Sequence, residues 1–307
     1  MFVGLIAKLQ MPSFFLYTSL LLILPVIVVY YFCHRRLDSA SLPRTVDTSS
    51  RARDDHIAVI IPALNEGDRL AATIERLFNT ANDENEPTVV VVYVGPELSL
   101  DSSKTIHPTL HLIRYPEPPS RGAQLNFGVA HAIAVSPESS LLLFLHADTF
   151  LQPGWDDIIR TTIIPSPSSS SLHPPALGAF SLSLSPPISL SLRLMLWGAN
   201  LRARWGGLPY GDQGYFLTLR VFESVGGFPS VPIMEDVELL RRVARVGRIA
   251  VIDEIVETSD RRWRQKGVFW NTILNQVLLT AWMCGVSYET IYQVYYGQRG
   301  TARLRSR

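Results

Sequence analysis

Short apolar runs alternate with amphipathic segments along the middle of the chain. Four apolar runs, several of them rich in β-branched residues, predict strands at residues 57–62, 88–94, 111–115 and 141–148. Helical periodicity lies between them, at residues 69–80 and 123–134. Strands that are apolar on both faces and separated by helices of this length are typical of βαβ units. The pattern therefore predicts an α/β fold with a mainly parallel sheet and helices on both faces.

The same alternation continues in the second half of the chain. Strands are predicted at 178–184 and 215–220, and helices at 190–204 and 234–247. Residues 206–214 are too rich in Gly, Pro and Asp to form a regular element. Residues 165–175 are rich in Ser and Pro and predict an exposed loop insertion.

The N-terminal region predicts a membrane anchor. After a short segment, 1–13, residues 14–33 carry no charge over a length that matches a hydrocarbon core of roughly 30 Å. A cleaved signal peptide is the alternative, but its apolar region is usually only about 7–15 residues long. Lys8 precedes the run and five arginines follow it within 35–53, so the positive-inside rule predicts a single-pass protein with a cytoplasmic catalytic domain. The polar, Ser-rich residues 34–55 predict a linker.

The C-terminal region, residues 266–307, predicts amphipathic helices and a basic tail. Residues 267–286 carry no charge, but Thr272, Gln276 and Thr280 recur at every fourth position and form a polar stripe. The stripe favours a helix that lies on a membrane or packs on the domain over a second membrane span.

Charge and cysteine content exclude several classes of protein. The 307 residues include 28 Lys and Arg against 27 Asp and Glu, so no basic field exists to hold nucleic acid. Cys33 and Cys284 are the only cysteines, and their positions match no disulfide framework or structural zinc site.

Familiar nucleotide-binding and hydrolytic motifs are missing. The sequence has no P-loop, no GxGxxG after the first predicted strand, no GxSxG and no HExxH. Polar residues instead follow the predicted strands or open helices. Asp148 follows a buried strand, Glu235 and Asp236 open a helix, and Arg121 follows the third strand. In open α/β sheets ligands bind beyond the carboxyl ends of the strands, so these residues are the candidate site.

Five motifs of the chain resemble glycosyltransferase family 2, whose members have the GT-A fold, a Rossmann-like fold of nucleotide-diphospho-sugar transferases. In the family's order they are IIPALNEG (60–67), RGAQLNFG (121–128), LFLHADT (143–149), YGDQGYF (210–216) and GGFP with IMEDVELLRR (226–242). The chain is most similar to a small bacterial-type subgroup associated with radical-SAM and selenocysteine proteins. The resemblance covers residues 56–265, the predicted catalytic domain.

The resemblance implies metal-dependent, inverting transfer of a sugar from a nucleotide-diphosphate donor to an acceptor hydroxyl. Asp148 is the expected ligand of Mn²⁺ or Mg²⁺, and His146 is a second candidate that could instead contact a phosphate or pack in the core. Asp236 is the expected general base, and Glu235 is its acidic neighbour. Binding residues implied by the resemblance are Pro62, Asn65, Glu66, Arg121, Gln124, Asn126, Asp212, Gln213, Arg262 and Trp263.

Several of these assignments have structural alternatives. Asn65 and Glu66 fit an ordinary helix start equally well, because Asn is a favoured N-cap residue. Arg121 could be a solvated surface charge. Asp212 and Gln213, with Arg262 and Trp263, are expected on the acceptor side of the site.

The sequence also departs from the family pattern. Tyr93 stands where a carboxylate is expected after the second strand, and the family's Asp-x-Asp is replaced by residues 146–148, His-Ala-Asp. A catalytically inactive GT-A domain that serves as a membrane-tethered interaction module is therefore the alternative function. A nucleotidyltransferase is disfavoured, since no Gly-rich activation loop follows the first strand. The acceptor is unknown, and the predicted anchor motivates a lipid-linked acceptor as a hypothesis.

Overall fold

The computed structural model describes residues 55–64, 67–82, 86–95, 107–116, 120–164, 174–261 and 267–297. The predicted anchor and nearly all of the linker lie outside the described residues. The same holds for Asn65, Glu66, Arg262 and Trp263, for most of the predicted loop insertion, and for the basic tail.

The described strands form a single eight-stranded sheet. In chain order they are β1 Ile57–Leu64, β2 Thr88–Val94, β3 Leu110–Arg114, β4 Leu141–Phe144, β5 Thr149–Leu151, β6 Leu177–Leu184, β7 Tyr215–Thr218 and β8 Ile249–Thr258. Their order across the sheet is β3-β2-β1-β4-β7-β6-β8-β5.

The described α-helices cover the sheet and extend beyond it. They are α1 Gly67–Thr80, α2 Arg121–Val135, α3 Trp155–Ile163, α4 Leu190–Gly206, α5 Leu219–Ser224, α6 Glu235–Val243, α7 Val268–Met283 and α8 Tyr288–Tyr296. A short 3₁₀ helix, Gly211–Gln213, lies in the loop between α4 and β7.

The first half of the sheet has the predicted parallel arrangement. β1 pairs in parallel with β2 and with β4, and β2 pairs in parallel with β3. β1 is buried on both faces: Val59 packs in the cluster that contains Leu70 of α1, and Ile60 packs in the cluster that contains Leu125 of α2. Gly128 permits the close approach of α2, because a Cβ atom there would lie 2.5 Å from Cγ2 of Ile60.

The second half of the sheet contains both strand orientations: β6 pairs in parallel with β8, and β5 pairs antiparallel with β8. β7 runs antiparallel to both β4 and β6, so the sheet is mixed. The loop before β7 lies at the carboxyl end of β4, where Tyr215 pairs with Phe144. The chain therefore enters β7 from that edge and must run opposite to β4.

The predicted strand 215–220 is also too long. β7 ends at Thr218, whose Oγ1 accepts a 3.1 Å hydrogen bond from the amide of Val221 and caps the start of α5. A side chain that bonds the backbone in this way competes with the strand ladder, and periodicity does not register it.

The C-terminal region contains a helix, α7, that packs against α4 and α8, and its amphipathic character stays a prediction. Leu278 and Leu279 are buried. The hydroxyls of Thr272 and Thr280 in the polar stripe each donate a 2.8 Å hydrogen bond to a carbonyl of the preceding turn. None of the helices in the described ranges combines the length and apolar character that crossing a bilayer requires.

Candidate functional site

Four segments converge at the carboxyl end of β4. His146 and Asp148 follow this strand directly, and Arg121 is the first residue of α2. Gly211 of the 3₁₀ helix 211–213 lies close to Arg121 and His146, and Glu235 and Asp236 open α6. The carboxyl edge of a parallel sheet is the usual ligand site of such folds, so the position agrees with the sequence prediction.

Arg121 lies between a histidine and a carboxylate. Its Nη2 donates a hydrogen bond to Nε2 of His146, and its Nε lies 3.5 Å from Oε1 of Glu235. Because a guanidinium only donates, Nε2 of His146 accepts, and a neutral His146 carries its proton on Nδ1. The pair therefore places a guanidinium cation beside an imidazole at the strand end.

The start of α2 is pressed against the segment that precedes α6. A Cβ atom at Gly122 would lie 2.7 Å from the carbonyl oxygen of Pro229 and 3.4 Å from Cβ of Glu235. Asn126, one turn later, exchanges two hydrogen bonds with the backbone of Phe228, at 2.8 and 2.9 Å. These contacts hold α2 in the position that sets Arg121 beside Glu235.

Asp236 is held by backbone amides at both carboxylate oxygens. Oδ2 accepts a 3.1 Å hydrogen bond from the amide of Gly211, and Oδ1 accepts one of 2.8 Å from the amide of Val237. The side chain is half-buried. Its orientation is thus fixed while part of it stays accessible.

Gly211 is a site residue that the sequence reasoning missed. A Cβ atom at this position would lie 3.1 Å from Nη2 of Arg121, 3.3 Å from Nε2 of His146 and 3.5 Å from Oδ2 of Asp236. A side chain here would be in tight contact with Arg121 and His146 and in ordinary contact with Asp236. The signal available in the sequence was the pair of glycines in the motif YGDQGYF.

Glu235 is the buried acid of the site. Its pKa is raised from 4.5 to about 7, first by burial and then by the adjacent Asp236 charge, against the opposing effect of the Arg121 guanidinium. A small cavity beside it is lined by Arg121, Leu125, Phe144, Leu145, Gly211, Tyr215, Phe228, Glu235 and Asp236. The acid therefore sits where apolar walls meet the polar cluster.

The residue before this acid pair has an unusual backbone. Met234 precedes α6 with φ 67°, and within the described ranges it is the one non-glycine residue with positive φ. A bulky side chain in this conformation costs on the order of 1 kcal/mol and is most often found at functional sites. The sequence carried no signal for it.

Asp148 fits a single-carboxylate metal site. It is half-buried, and no other side chain in the described ranges bonds its carboxylate. The described part of the chain has no cluster of three or more His, Cys, Asp or Glu placed to bind a metal. Mg²⁺ is commonly held by one or two carboxylates together with substrate phosphates and water, so one protein carboxylate is chemically sufficient. His146 is a weaker candidate, since its Nε2 accepts from Arg121.

Three side-chain amides that the sequence predicts in the binding site form hydrogen bonds with the backbone. Gln213 is fully buried, donates to the carbonyl of Phe180 at 2.9 Å and accepts from the amide of Tyr210 at 3.1 Å. Gln124 is also buried and donates to the carbonyl of Val92 at 3.4 Å. Like Asn126, they shape the site, and their contact with a donor stays a prediction.

The other predicted binding residues that the structure describes lie at the same edge. Pro62 is half-buried in β1 opposite Val92, two positions before the strand ends. Asp212 is half-buried in the 3₁₀ helix. The ring of Tyr210 in this loop carries the Arg202 guanidinium 3.6 Å from its centroid, a contact that the sequence reasoning did not foresee.

Comparisons with solved structures found similar glycosyltransferases. A mannosyltransferase, PcManGT from Pyrobaculum calidifontis in complex with GDP-Man and Mn²⁺, is 17% identical with a TM-score of 0.48, over 79% of this chain and 66% of that one. S. aureus TarS is 12% identical with a TM-score of 0.46, over 78% and 42%. Residues 1–349 of TarS in complex with UDP-GlcNAc are 14% identical with a TM-score of 0.47, over 66% and 58%.

The likeness to these structures is distant. The chain spans less than two thirds of the length of each of them. No family model matches the sequence, and no curated protein matches it. At TM-scores below 0.5 the likeness assigns neither activity nor substrate to this chain, so both are proposed from the site.

Proposed function

We propose that this chain is an inverting glycosyltransferase that moves a sugar from a nucleotide-diphosphate donor to an acceptor hydroxyl. The proposal rests on the convergence of Arg121, His146 and Asp236 around the backbone of Gly211. The Arg121 cation stands beside a carboxylate whose orientation is fixed by two backbone amides. This is the pairing that the departure of a diphosphate and the deprotonation of a hydroxyl require.

The leaving group is the side of the reaction that needs positive charge. When the anomeric bond breaks, the diphosphate keeps both electrons of that bond and gains charge. The Arg121 guanidinium would donate to its oxygens. Asp148 would hold a divalent cation, Mn²⁺ or Mg²⁺, whose chemistry is to neutralise phosphate oxygens.

The attacking hydroxyl is the side that needs a base. Asp236 is half-exposed and held at both oxygens, so it would accept the hydroxyl proton as the new bond to the anomeric carbon forms. Glu235 is buried beside it and would influence the site through its own charge. One displacement, with the base and the leaving group on opposite sides of the anomeric carbon, inverts its configuration.

The setting of the reaction rests on sequence alone. We propose a membrane-anchored enzyme with its catalytic domain in the cytoplasm and an acceptor hydroxyl that is carried by a lipid, because of the predicted anchor at residues 14–33. Efficient transfer to a water-soluble acceptor, with no gain from a lipid-linked one, would contradict this part of the proposal.

The test of the proposed activity is a donor assay on the full chain in detergent or nanodiscs. A panel of nucleotide sugars, including GDP-mannose and UDP-GlcNAc, is incubated with Mn²⁺ or Mg²⁺ and membrane-lipid extract. Release of nucleoside diphosphate from one donor, abolished in Asp236→Asn, supports the proposal. A folded protein that neither binds nor cleaves any donor would instead support the interaction-module alternative.

A further inference from the structure

Helix α4 is apolar on two opposite sides. Its inner side buries Leu192, Leu196 and Ala203. Its outer side, which we call the outer α4 face, consists of large apolar residues that expose 58 to 75% of their surface. They are Leu190, Leu194, Trp197 and Trp205.

The outer α4 face is a continuous stripe. At 3.6 residues per turn, its four residues fall within an arc of about 80° and extend over about 22 Å of helix. Leu201, which is half-buried, falls within the same arc. A surface helix of a soluble domain normally places polar residues on this side. An exposed apolar surface of this extent marks an interaction site.

The neighbouring helix also presents apolar side chains to the outside. α7 packs against α4 and exposes Trp270 and Val277, which are two turns apart on one side of the helix. Its sequence, VFWNTILNQVLLTAWM, contains no charged residue. The apolar surface therefore involves a pair of helices in contact.

The charges on α4 indicate what the stripe contacts. The helix sequence, LSLRLMLWGANLRARWG, has neither Asp nor Glu and three arginines, of which Arg202 is buried against the Tyr210 ring. Arg193 is exposed beside the stripe. Arg204, also exposed, forms an ion pair of 2.5 Å with Asp253 of β8. Leucine and tryptophan on one side with arginine at its margin suit a helix that lies in the headgroup region of an anionic bilayer.

Tryptophan strengthens this interpretation. Its indole ring is apolar with one N–H donor, and it is enriched where apolar chains meet polar headgroups. Trp197 and Trp205 lie about two turns apart on the stripe, so both would reach the same depth if the helix lay parallel to the membrane.

The anchor that the sequence predicts would keep the whole domain near a membrane. The predicted anchor at 14–33 is joined to β1 through the predicted linker 34–55. A linker of this length keeps the domain at a high effective concentration near the bilayer, so a weak surface contact is enough. We propose that the outer α4 face rests in the headgroup region of an anionic phospholipid bilayer. This docking does not depend on glycosyl transfer.

Tryptophan fluorescence of the full chain tests the docking directly. Residues 1–54 contain no tryptophan, so the signal excludes the predicted anchor. The chain is reconstituted in vesicles of phosphatidylcholine and phosphatidylserine, with or without bromine on the acyl chains near the headgroup. Brominated lipid should quench the wild type, and the double variant Trp197→Phe/Trp205→Phe should lose at least about half of that quenching.

A matched variant and the oligomeric state separate the alternatives. Trp282→Phe changes a half-buried tryptophan of α7 and should leave the quenched fraction undiminished. Equal quenching of the wild type and the double variant, or no quenching at all, overturns the proposal. If quenching is absent and Leu194→Glu converts a detergent-purified dimer to a monomer, a second copy of the chain covers the face. Glycosyl transfer is assayed separately, so the two proposals fail independently.

Discussion

The backbone amide of Gly211 donates a 3.1 Å hydrogen bond to Oδ2 of Asp236. The bond joins two segments 25 residues apart in sequence, the 3₁₀ helix after α4 and the start of α6. Because the amide of Val237 holds the other oxygen, two backbone amides orient the proposed base. Pre-organised donors of this kind need no rearrangement when the reaction occurs.

The first prediction concerns Gly211. In Gly211→Ala the new Cβ atom would press on Arg121, His146 and Asp236, at 3.1 to 3.5 Å. We expect kcat/KM to fall about tenfold or more, because small displacements in a site of this kind are costly. The change in thermal unfolding should be small, since the affected groups are side-chain ends.

Gly198→Ala is the matched control for that substitution. No heavy atom lies within 4 Å of a Cβ atom built at Gly198, in the interior of α4. It should leave kcat/KM unchanged and raise the free energy of unfolding by about 0.5–1 kcal/mol through helix propensity. Equal activities of the two variants would contradict the proposed role of the Gly211 backbone.

The second prediction concerns the proposed general base. Asp236→Asn should lower kcat by about 10²–10⁴-fold while donor binding changes little, because the amide cannot accept the hydroxyl proton. Glu254→Gln, an exposed carboxylate on β8, is the control and should retain full activity. A variant Asp236→Asn that keeps near wild-type kcat would require a different base.

The third prediction is a pH dependence of activity that comes from Glu235. Its pKa is raised to about 7, chiefly by burial, so its charge changes within the physiological range. The pH profile of kcat/KM should show an inflection near neutral pH that Glu235→Gln removes. An identical profile in this variant would show that another group titrates there.

The same pKa predicts how stability changes with pH. The native state holds a proton on Glu235 that the unfolded chain has released, between the unfolded pKa of 4.5 and the native value of about 7. The free energy of unfolding therefore falls by on the order of 3 kcal/mol as the pH rises through this window, and then levels off. The free energy of unfolding, measured with urea, should fall less between pH 4 and pH 8 in Glu235→Gln than in the wild type.

The fourth prediction distinguishes a structural role of Asn126 from direct contact with the donor. Asn126→Ala removes both hydrogen bonds to the backbone of Phe228 and leaves a donor and an acceptor without these bonds. We expect a loss of about 1–3 kcal/mol in the free energy of unfolding. If the amide serves only as a clamp, donor affinity should decline together with stability. A large loss of donor affinity at unchanged stability would show that Asn126 contacts the donor.

The first half of the fold was readable from the sequence because its strands are buried on both faces. Continuous β-branched runs such as Thr88–Val94 have one stable placement, a central strand between two helix layers. The second half gave weaker signals. β8, Ile249–Thr258, has exposed acidic residues in its middle, and β5, Thr149–Leu151, has only three residues, so neither was predicted.

The sequence predicted the charged residues of the candidate site but not the residues that shape its backbone. Arg121, Asp148 and Asp236 follow strands or open helices, and the rule for α/β sheets places such residues at one edge. Gly211 and Met234 act through backbone geometry that depends on tertiary packing. The glycines of YGDQGYF were the signal for Gly211, and the sequence carried none for Met234.

Donor binding by the full chain is the first requirement of the proposed glycosyl transfer. Calorimetry in nanodiscs would measure the affinity for each nucleotide sugar with and without Mn²⁺, for the wild type and Asp148→Asn. We expect that one donor binds and that Mn²⁺ raises its affinity. In Asp148→Asn, which should stay folded, Mn²⁺ should no longer raise the affinity. A folded wild type that binds no nucleotide sugar in the presence of metal would contradict the account.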